Sequence, residues 1–536
     1  MSLSEAQAAR ANETLGYDAV PRSFNVADHF LDGPVAAGQG GRTAIVHDDP
    51  RAGVTEVTFV ELSERTNRIG NVLRALGVRP EERVLLALSD GPDFVAAWFA
   101  VLKIGAVVAE AYTFLQPEEY CYYLDYTKAR VVVGDQVTLD KLRTARKRSA
   151  TLHTILIAGS PDELSTGEVS LSEASAAASP ELETAPTTRD DIGLWKFTTG
   201  STGKPKAAVH CQHDPLISHE AYAQNVLQLT AEDVVLPVPK LFFGYARDLT
   251  ALFPFAVGAR GVVFPDRSTP SRLFDLIERH RPTILVQVPT MMRSMLAEPD
   301  AAQRDLSSVR IVVSSGETLP LELHRRWLDT FGVEVLEGVG SSELYHIYVS
   351  NRPGSTRPGS VGTMVPGYTG QLVDGDGAEV ANGEPGELVV SGESAALMYW
   401  GDHEKSKQTF SGDTVRTGDV FVRSEDGYYT YRGRSDDLIK VGGIWVAPVE
   451  IEECLRSHPD VDEVAVVPYE EAGLLRARAC VVASDPGLDL DSARAFVRAR
   501  LAPHKAPDDL VLMSDMPKTA SGKVDRAALR GSEASP

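Results

Sequence analysis

Short apolar runs of strand type alternate with helical patterns through most of this chain, and that alternation restricts the fold more than any other feature. The runs include Arg83–Leu88, Ala129–Val133, Thr154–Ile157, Thr283–Val286 and Val309–Val313. Between them lie segments with helical spacing, among them Phe59–Leu76, Asp93–Ile104 and Ser271–Arg281. Strands that are apolar on both faces and separated by helices predict layered α/β units with parallel sheets. The 536 residues leave room for more than one such unit.

The pattern changes along the chain. Ala158–Asp190 is rich in Ser, Ala, Thr, Pro and Glu and reads as a polar connector. From Gly359 to Thr430 short strands punctuated by glycine predict a β-rich subdomain with the character of a distorted barrel. After Asp436 come a hairpin at Lys440–Val446, a helix at Pro448–Ser457, a strand at Glu463–Val467 and a helix at Asp491–Leu501. The expected fold class is therefore α/β: a large N-terminal domain of layered subdomains over residues 1–435, and a small mobile α+β domain over 436–536. Phe94–Phe114 is the most apolar stretch, but Lys103, Gly105 and Glu110 make it a buried helix running into a strand rather than a membrane span. The net charge of −22 argues against a general nucleic-acid binder or a protein held electrostatically to anionic membranes. Four cysteines with no metal or CxxC spacing, and a start without the features of a signal peptide, suit a reducing cytoplasm.

Four segments have the composition of ligand loops. Thr198-Thr-Gly-Ser-Thr-Gly-Lys-Pro-Lys206 follows the strand Leu194–Phe197. Its glycines allow backbone N–H groups to approach an anion, its hydroxyls donate to phosphate oxygens, and its lysines add charge. The bland alternative is a polar hairpin, and Walker spacing is absent. Glu337-Gly-Val-Gly-Ser-Ser-Glu343 ends a glycine-rich turn in hydroxyls and a carboxylate, which fits a nucleotide with its magnesium or a capped helix start. Arg416-Thr-Gly-Asp419, with Arg434 downstream, fits a ribose and phosphate or two solvated turns. Lys523 sits on a Gly/Ser loop after Pro517, where an exposed lysine is the ordinary reading.

In this order the segments resemble the adenylate-forming superfamily of acyl-CoA synthetases, carrier-protein adenylation domains and luciferases, over roughly Phe24 to Leu529. Lys240-Leu-Phe-Phe-Gly-Tyr245, Ser314-Ser-Gly-Glu-Thr-Leu-Pro320, Glu337–Ile347 and Ser350-Asn-Arg-Pro-Gly354 are most similar to benzoate and related aryl-CoA ligases. The resemblance implies ATP, Mg²⁺ and coenzyme A, and a reaction in two halves: a benzoate-type acid is adenylated with release of pyrophosphate, and the acyl group then passes to the thiol with release of AMP. It assigns Thr198, Thr199, Ser201, Thr202 and Lys206 to the β- and γ-phosphates, Ser342 to the α-phosphate and Glu343 to Mg²⁺. Gly316, Glu317, Glu337 and Gly338 would flank the adenine, and Asp419 would take the ribose hydroxyls with Arg434 nearby. Lys523 would bridge the carboxylate and the α-phosphate, Asp436 would be the hinge, and Lys440, Gly442 and Gly443 would meet coenzyme A. The acid pocket would be lined by Phe242, Phe243, Tyr245, Arg247, Val339, Gly340, His346 and Ile347. Aromatic walls with glycine beside them suit a flat ring.

The chain also departs from the pattern. Where benzoate ligases continue with Gly-Leu-Gly-Asn, it has Ala246-Arg247-Asp248-Leu249. Arg247 either faces the pocket, favouring a hydroxybenzoate such as salicylate, or pairs with Asp248 on the surface. Ala109-Glu110-Ala111-Tyr112 replaces a run that usually contains Pro and Asn, and His504 replaces a common tyrosine. His210, His213 and His219 have spacing that invites a metal, although core or solvated histidines fit as well. The partner expected is a small aromatic acid, for a monomer or homodimer. The alternative acceptor is a carrier protein loaded by a stand-alone adenylating enzyme.

Overall fold

A computed structural model describes residues 16–159, 163–199, 204–435, 439–441, 444–471, 474–484, 487–518 and 524–531. The chain divides into two compact units. The first comprises residues 1–198, 205–369 and 391–415; the second comprises 199–204, 370–390 and 416–536.

Two large sheets form the first unit. In one, the parallel strands run in the order Val335–Gly340, Ile311–Ser314, Ile284–Gln287, Val234–Pro237, Arg260–Val263 and Thr43–Asp49. Antiparallel strands flank them, Gly53–Thr58 at one end and Ile347–Ser350 with Thr363–Met364 at the other. In the second sheet the parallel strands are Ile192–Thr199, Val107–Glu110, Arg83–Ala87, Val131–Gly134, Thr154–Ile157 and Glu168–Ser170. The four-residue strands Val131–Gly134 and Ile311–Ser314 are buried at every position, which is why they read as continuous apolar runs rather than as alternation.

Helix Pro92–Lys103 is buried at every residue but one and leads into strand Val107–Glu110. Its Lys103 pairs with Asp32 at 2.5 Å. The stretch is thus enclosed by protein, and no helix among the described residues is long and apolar enough to cross a membrane. All four cysteines are free. The connector after Ala158 holds more structure than its composition suggested: strand Glu168–Ser170 and helix Leu171–Ala177, the latter capped by the Ser170 hydroxyl.

The second unit contains Gly370–Val390 of the β-rich region and most of strand Thr414–Arg423, which pairs antiparallel with Tyr429–Arg434. Downstream, Val461–Glu471 pairs antiparallel with Leu474–Ala483, which pairs parallel with Asp509–Leu512. Alternation separates the faces of this sheet. Val464, Val466, Ala479 and Val481 pack with helices Pro448–Arg456 and Leu490–Arg498 through Ile451, Leu455, Ala493 and Val497. Ala465, Val467 and Cys480 face the other way, toward Met516 and Leu529. The hairpin expected at Lys440–Val446 is present as Ile439–Val441 against Ile444–Val446.

Candidate functional site

The chemistry-bearing segments of the first unit lie at strand ends, where open α/β sheets bind ligands. Strand Ile192–Thr199 delivers Thr198 to the start of the Gly/Ser/Thr-rich loop. The side chain of Thr199, the loop residues Ser201 and Thr202, and its glycines lie outside the described residues. The chain resumes at Lys204 and enters strand Pro205–Cys211, where the Lys206 ammonium lies 4.2 Å from the centre of the Tyr399 ring.

The turn after strand Val335–Gly340 is held from several sides. Glycine is required at its edge: a Cβ on Gly340 would stand 2.7 Å from the His346 carbonyl oxygen, and one on Gly338 would meet Ile347 and Val349 at 3.1 Å. The buried Glu337 carboxylate accepts from the Leu319 amide at 3.0 Å, joining this strand to the segment that carries Gly316. Gly316 has a φ of 88°, and Glu317 accepts from the Thr290 amide and hydroxyl at 3.0 and 2.7 Å. The Ser342 hydroxyl lies 3.4 Å from the Phe197 carbonyl oxygen, so this turn sits beside the strand that feeds the loop after Thr198. Glu343 accepts from the Tyr399 hydroxyl at 2.6 Å. Tyr345, two residues on, holds a left-handed backbone with φ 69°, a strained conformation of the sort that concentrates at functional sites.

His210 fastens that turn. Its Nδ1 is 2.6 Å from Asp214 Oδ2 and its Nε2 is 2.6 Å from the Ser342 carbonyl oxygen. The ring thus bridges the Asp214 carboxylate and the Ser342 backbone. His213 also meets Asp214, at 3.0 Å, and His219 meets Glu220 at 3.2 Å. The three histidines are core residues paired with acids, and no group of three metal-ligating side chains occurs among the described residues. What the spacing did not reveal is the role of His210 in holding Ser342.

Phe242 and Phe243 belong to an aromatic cluster that also takes in Tyr112 and Phe114. Phe242 and Phe243 have ring centres 4.9 Å apart, and Tyr112 lies 5.1 and 4.9 Å from them. Phe114 stacks on Tyr112 at 5.2 Å. Phe243 immediately precedes helix Gly244–Ala251. The Tyr245 hydroxyl donates to the carbonyl oxygens of Val313 and Gln287 at 3.0 and 3.3 Å. His346 sits among Tyr222, Tyr245 and Phe253, and burial pulls its pKa down to about 3, leaving it neutral. Ile347 is buried, while Val339 is half-buried and Gly340 exposed.

Arg247 requires a correction. It pairs with Asp248, at 2.8 Å, but not on the surface: it is 2 % exposed. It also binds Glu110, and it stacks over Trp98 at 4.7 Å. It is therefore not an uncommitted donor facing a pocket. The unexplained Glu110 is its partner, so the two departures from the family pattern form one feature. Lys196 joins them, donating to Asp248 at 2.6 Å and to the Tyr345 carbonyl at 2.5 Å. Burial lowers its ammonium to about 8, against the pull of Asp248.

In the second unit, Asp419 and Arg434 face each other across paired strands, with Arg434 Nη1 3.0 Å from the Asp419 carboxylate and 3.1 Å from the Thr417 carbonyl oxygen. Gly418 has a φ of 70°, and a Cβ there would stand 2.9 Å from Arg434, so the Thr-Gly-Asp turn needs its glycine. Arg432 pairs with Glu450 at 3.2 Å. Asp436, Gly442, Gly443 and Lys523, and the side chains of Lys440 and His504, lie outside the described residues.

These geometries agree with what the chain resembles among known proteins. Residues 34–400 match the AMP-binding enzyme family and residues 450–523 match the AMP-binding enzyme C-terminal domain. A benzoate–CoA ligase of Thauera aromatica is 40 % identical over 519 residues, covering 95 % of this chain and 96 % of that protein. A 4-hydroxybenzoate–CoA/benzoate–CoA ligase of Rhodopseudomonas palustris is 36 % identical, covering 95 % and 94 %. The solved structure of an anthranilate CoA ligase in complex with anthranoyl-AMP superimposes with a TM-score of 0.89 at 36 % identity, covering 96 % of this chain and 98 % of that one. With the family matched over most of its length and with relatives of this identity covering nearly all of both chains, the protein belongs to the AMP-binding enzyme family.

Proposed function

We propose that this chain is an ATP-dependent aryl-CoA ligase acting on a benzoate-type acid. The observation that carries the reading is the aromatic cluster of Tyr112, Phe242 and Phe243 at the start of helix Gly244–Ala251, in a family member with full-length similarity to benzoate ligases. A flat ring gains area against such walls, whereas a long flexible chain pays to be ordered there.

In the first half-reaction the substrate carboxylate attacks the α-phosphorus of ATP, and the bond to pyrophosphate breaks. In the second, the thiol sulfur of coenzyme A bonds to the acyl carbon as AMP leaves and the thiol proton is lost. Thr198, Thr199, Ser201, Thr202 and Lys206 hold the β- and γ-phosphates, and Ser342 the α-phosphate. Gly316, Glu317, Glu337 and Gly338 bound the adenine, and Asp419 with Arg434 takes the ribose. Phe242, Phe243, Tyr245, Val339, Gly340, His346 and Ile347 surround the acid. Glu343 presents one hard carboxylate, oriented by Tyr399, and a single carboxylate suits Mg²⁺, which keeps phosphate and water as its other ligands. Bound there, the ion would offset phosphate charge during displacement. Lys523, in a mobile domain spanning 436–536, supplies positive charge between the carboxylate and the α-phosphate, and Lys440, Gly442 and Gly443 meet coenzyme A.

The test is ATP–pyrophosphate exchange across benzoate, its hydroxy and amino derivatives, and short fatty acids. Exchange with aromatic acids is expected; exchange confined to fatty acids would sink the reading. Lys523→Ala is expected to abolish exchange while sparing thioester formation from supplied acyl-adenylate. Equal loss of both steps would refute this division of labour.

A further inference from the structure

Glu110 ends strand Val107–Glu110, and Lys196 lies on the adjacent parallel strand, whose register sets Ala109 beside Trp195. Helix Gly244–Ala251 supplies Arg247 and Asp248. All four charged side chains are buried. Two acids and two bases balance, yet burying two ion pairs costs desolvation that well-packed apolar residues would avoid. An unsubstituted benzoate gains nothing from such a group.

One atom of the cluster is unused. Glu110 Oε1 accepts from Trp98 Nε1 at 2.7 Å and from Arg247 Nη1. Its Oε2 accepts from none of the described residues. The cluster also adjoins the aromatic wall on two sides. Tyr112 is two residues beyond Glu110 and touches both Phe242 and Phe243. Gly244 follows Phe243 so closely against the cluster that a Cβ there would stand 2.7 Å from Lys196 Cε and 3.6 Å from Arg247 Nη2.

We propose that Glu110 determines specificity: Arg247 and Trp98 hold its carboxylate so that Oε2 accepts a hydrogen bond from a hydroxyl or amino group on the ring of the bound acid. The preferred substrates are then hydroxy- or aminobenzoates rather than benzoate. This rests on the reading of the chain as an aryl-CoA ligase. It also reverses the role first expected of Arg247. The ring substituent must donate to Glu110, rather than accept from Arg247.

The experiment measures kcat/KM for thioester formation by the full-length protein with benzoate, the hydroxybenzoates, the aminobenzoates and the matching methoxybenzoates, which carry an acceptor but no donor. At least one hydroxy- or aminobenzoate is expected to exceed both benzoate and its methoxy counterpart by about tenfold or more, the scale of a hydrogen bond to a charged group. Glu110→Gln sharpens the test. Because Arg247 and Trp98 both donate to one atom, the glutamine carbonyl takes that place and the amide NH₂ replaces Oε2. The preference should then invert toward methoxy substrates. Benzoate turned over as well as every donor-bearing acid, or an unchanged hydroxy-to-methoxy ratio in Glu110→Gln, overturns the proposal. Should the variant fail to fold, the wild-type ratio alone decides. Loss of activity toward all aromatic acids in the wild type instead refutes the underlying reading.

Discussion

Two charge clusters, each built around a buried carboxylate, serve different ends. Asp48 on strand Thr43–Asp49 meets Arg272 at 2.9 Å, Arg279 at 3.0 Å and His280 at 2.6 Å. Burial opposes its ionisation, but the hydrogen bonds from His280 and Arg272 outweigh it and pull the carboxyl down to about 2. Each oxygen is used, and the cluster fastens helix Pro270–His280 to the sheet. In the Glu110–Arg247–Asp248–Lys196 cluster, burial pushes Glu110 up and Lys196 down to about 8, whereas burial is outweighed at Asp248 and Arg247, whose opposite charges favour each other's ionised form. A saturated cluster contributes to the fold. A cluster that keeps an unused carboxylate oxygen at a strand end is better explained by a ligand than by stability.

Removing one partner should separate the two most strongly. Arg247→Leu leaves Glu110 and Asp248 buried with Lys196 as their remaining charge partner within the cluster, and is expected to cost about 3–5 kcal/mol in urea unfolding. Adding Glu110→Gln should recover part of that loss, because the stranded charge is removed along with its partner. A loss below about 1 kcal/mol for Arg247→Leu would mean that the pair is not held away from water.

The contrast also marks what was legible in the sequence. The parallel α/β plan was legible because strands such as Ile311–Ser314 are buried at every position and leave an unbroken apolar signal. Helix Leu171–Ala177 was not, because it buries only Leu171 and so has no apolar stripe. The glycine-rich turns stood out through glycines whose backbones require them, as at Gly418. The charged cluster was hidden because its members come from three separated segments, and each alone reads as a solvated charge. Only the register of strand 107–110 against strand 192–199, crossed by helix 244–251, brings Glu110, Lys196, Arg247 and Asp248 together. His210 was obscured likewise, because its acceptor, Ser342, is 132 residues away.

The Asp48 cluster makes the complementary prediction, smaller and opposite in kind. Its folded carboxyl near 2 lies below the ordinary 3.8, so its stabilisation is present above about pH 4 and is lost as the pH falls toward 2. Asp48→Asn should therefore cost about 2 kcal/mol at pH 7, and the gap from wild type should narrow below pH 4. The hydroxy-to-methoxy substrate ratio should not change. A shifted ratio would show that the two clusters are coupled and that their separation into fold and site is mistaken.

The smallest effect concerns His346, which faces the charges of Asp248, Lys196 and Arg247 and packs against Tyr222, Tyr245 and Phe253. Burial is the largest influence on it and holds it near 3, so it stays neutral from pH 5.5 to 8 despite the attraction of Asp248. Its Nε2–H points at the Tyr245 carbonyl at 3.4 Å, a long contact that positions the ring without charging it. His346→Asn should thus leave the shape of the kcat/KM profile over that range unchanged, whatever it does to the absolute rate. If a step near pH 6 in the wild type disappears in the variant, His346 titrates there. The Asp248 side of the cluster would then carry enough uncompensated negative charge to overcome burial, and the balance of two acids against two bases would be wrong.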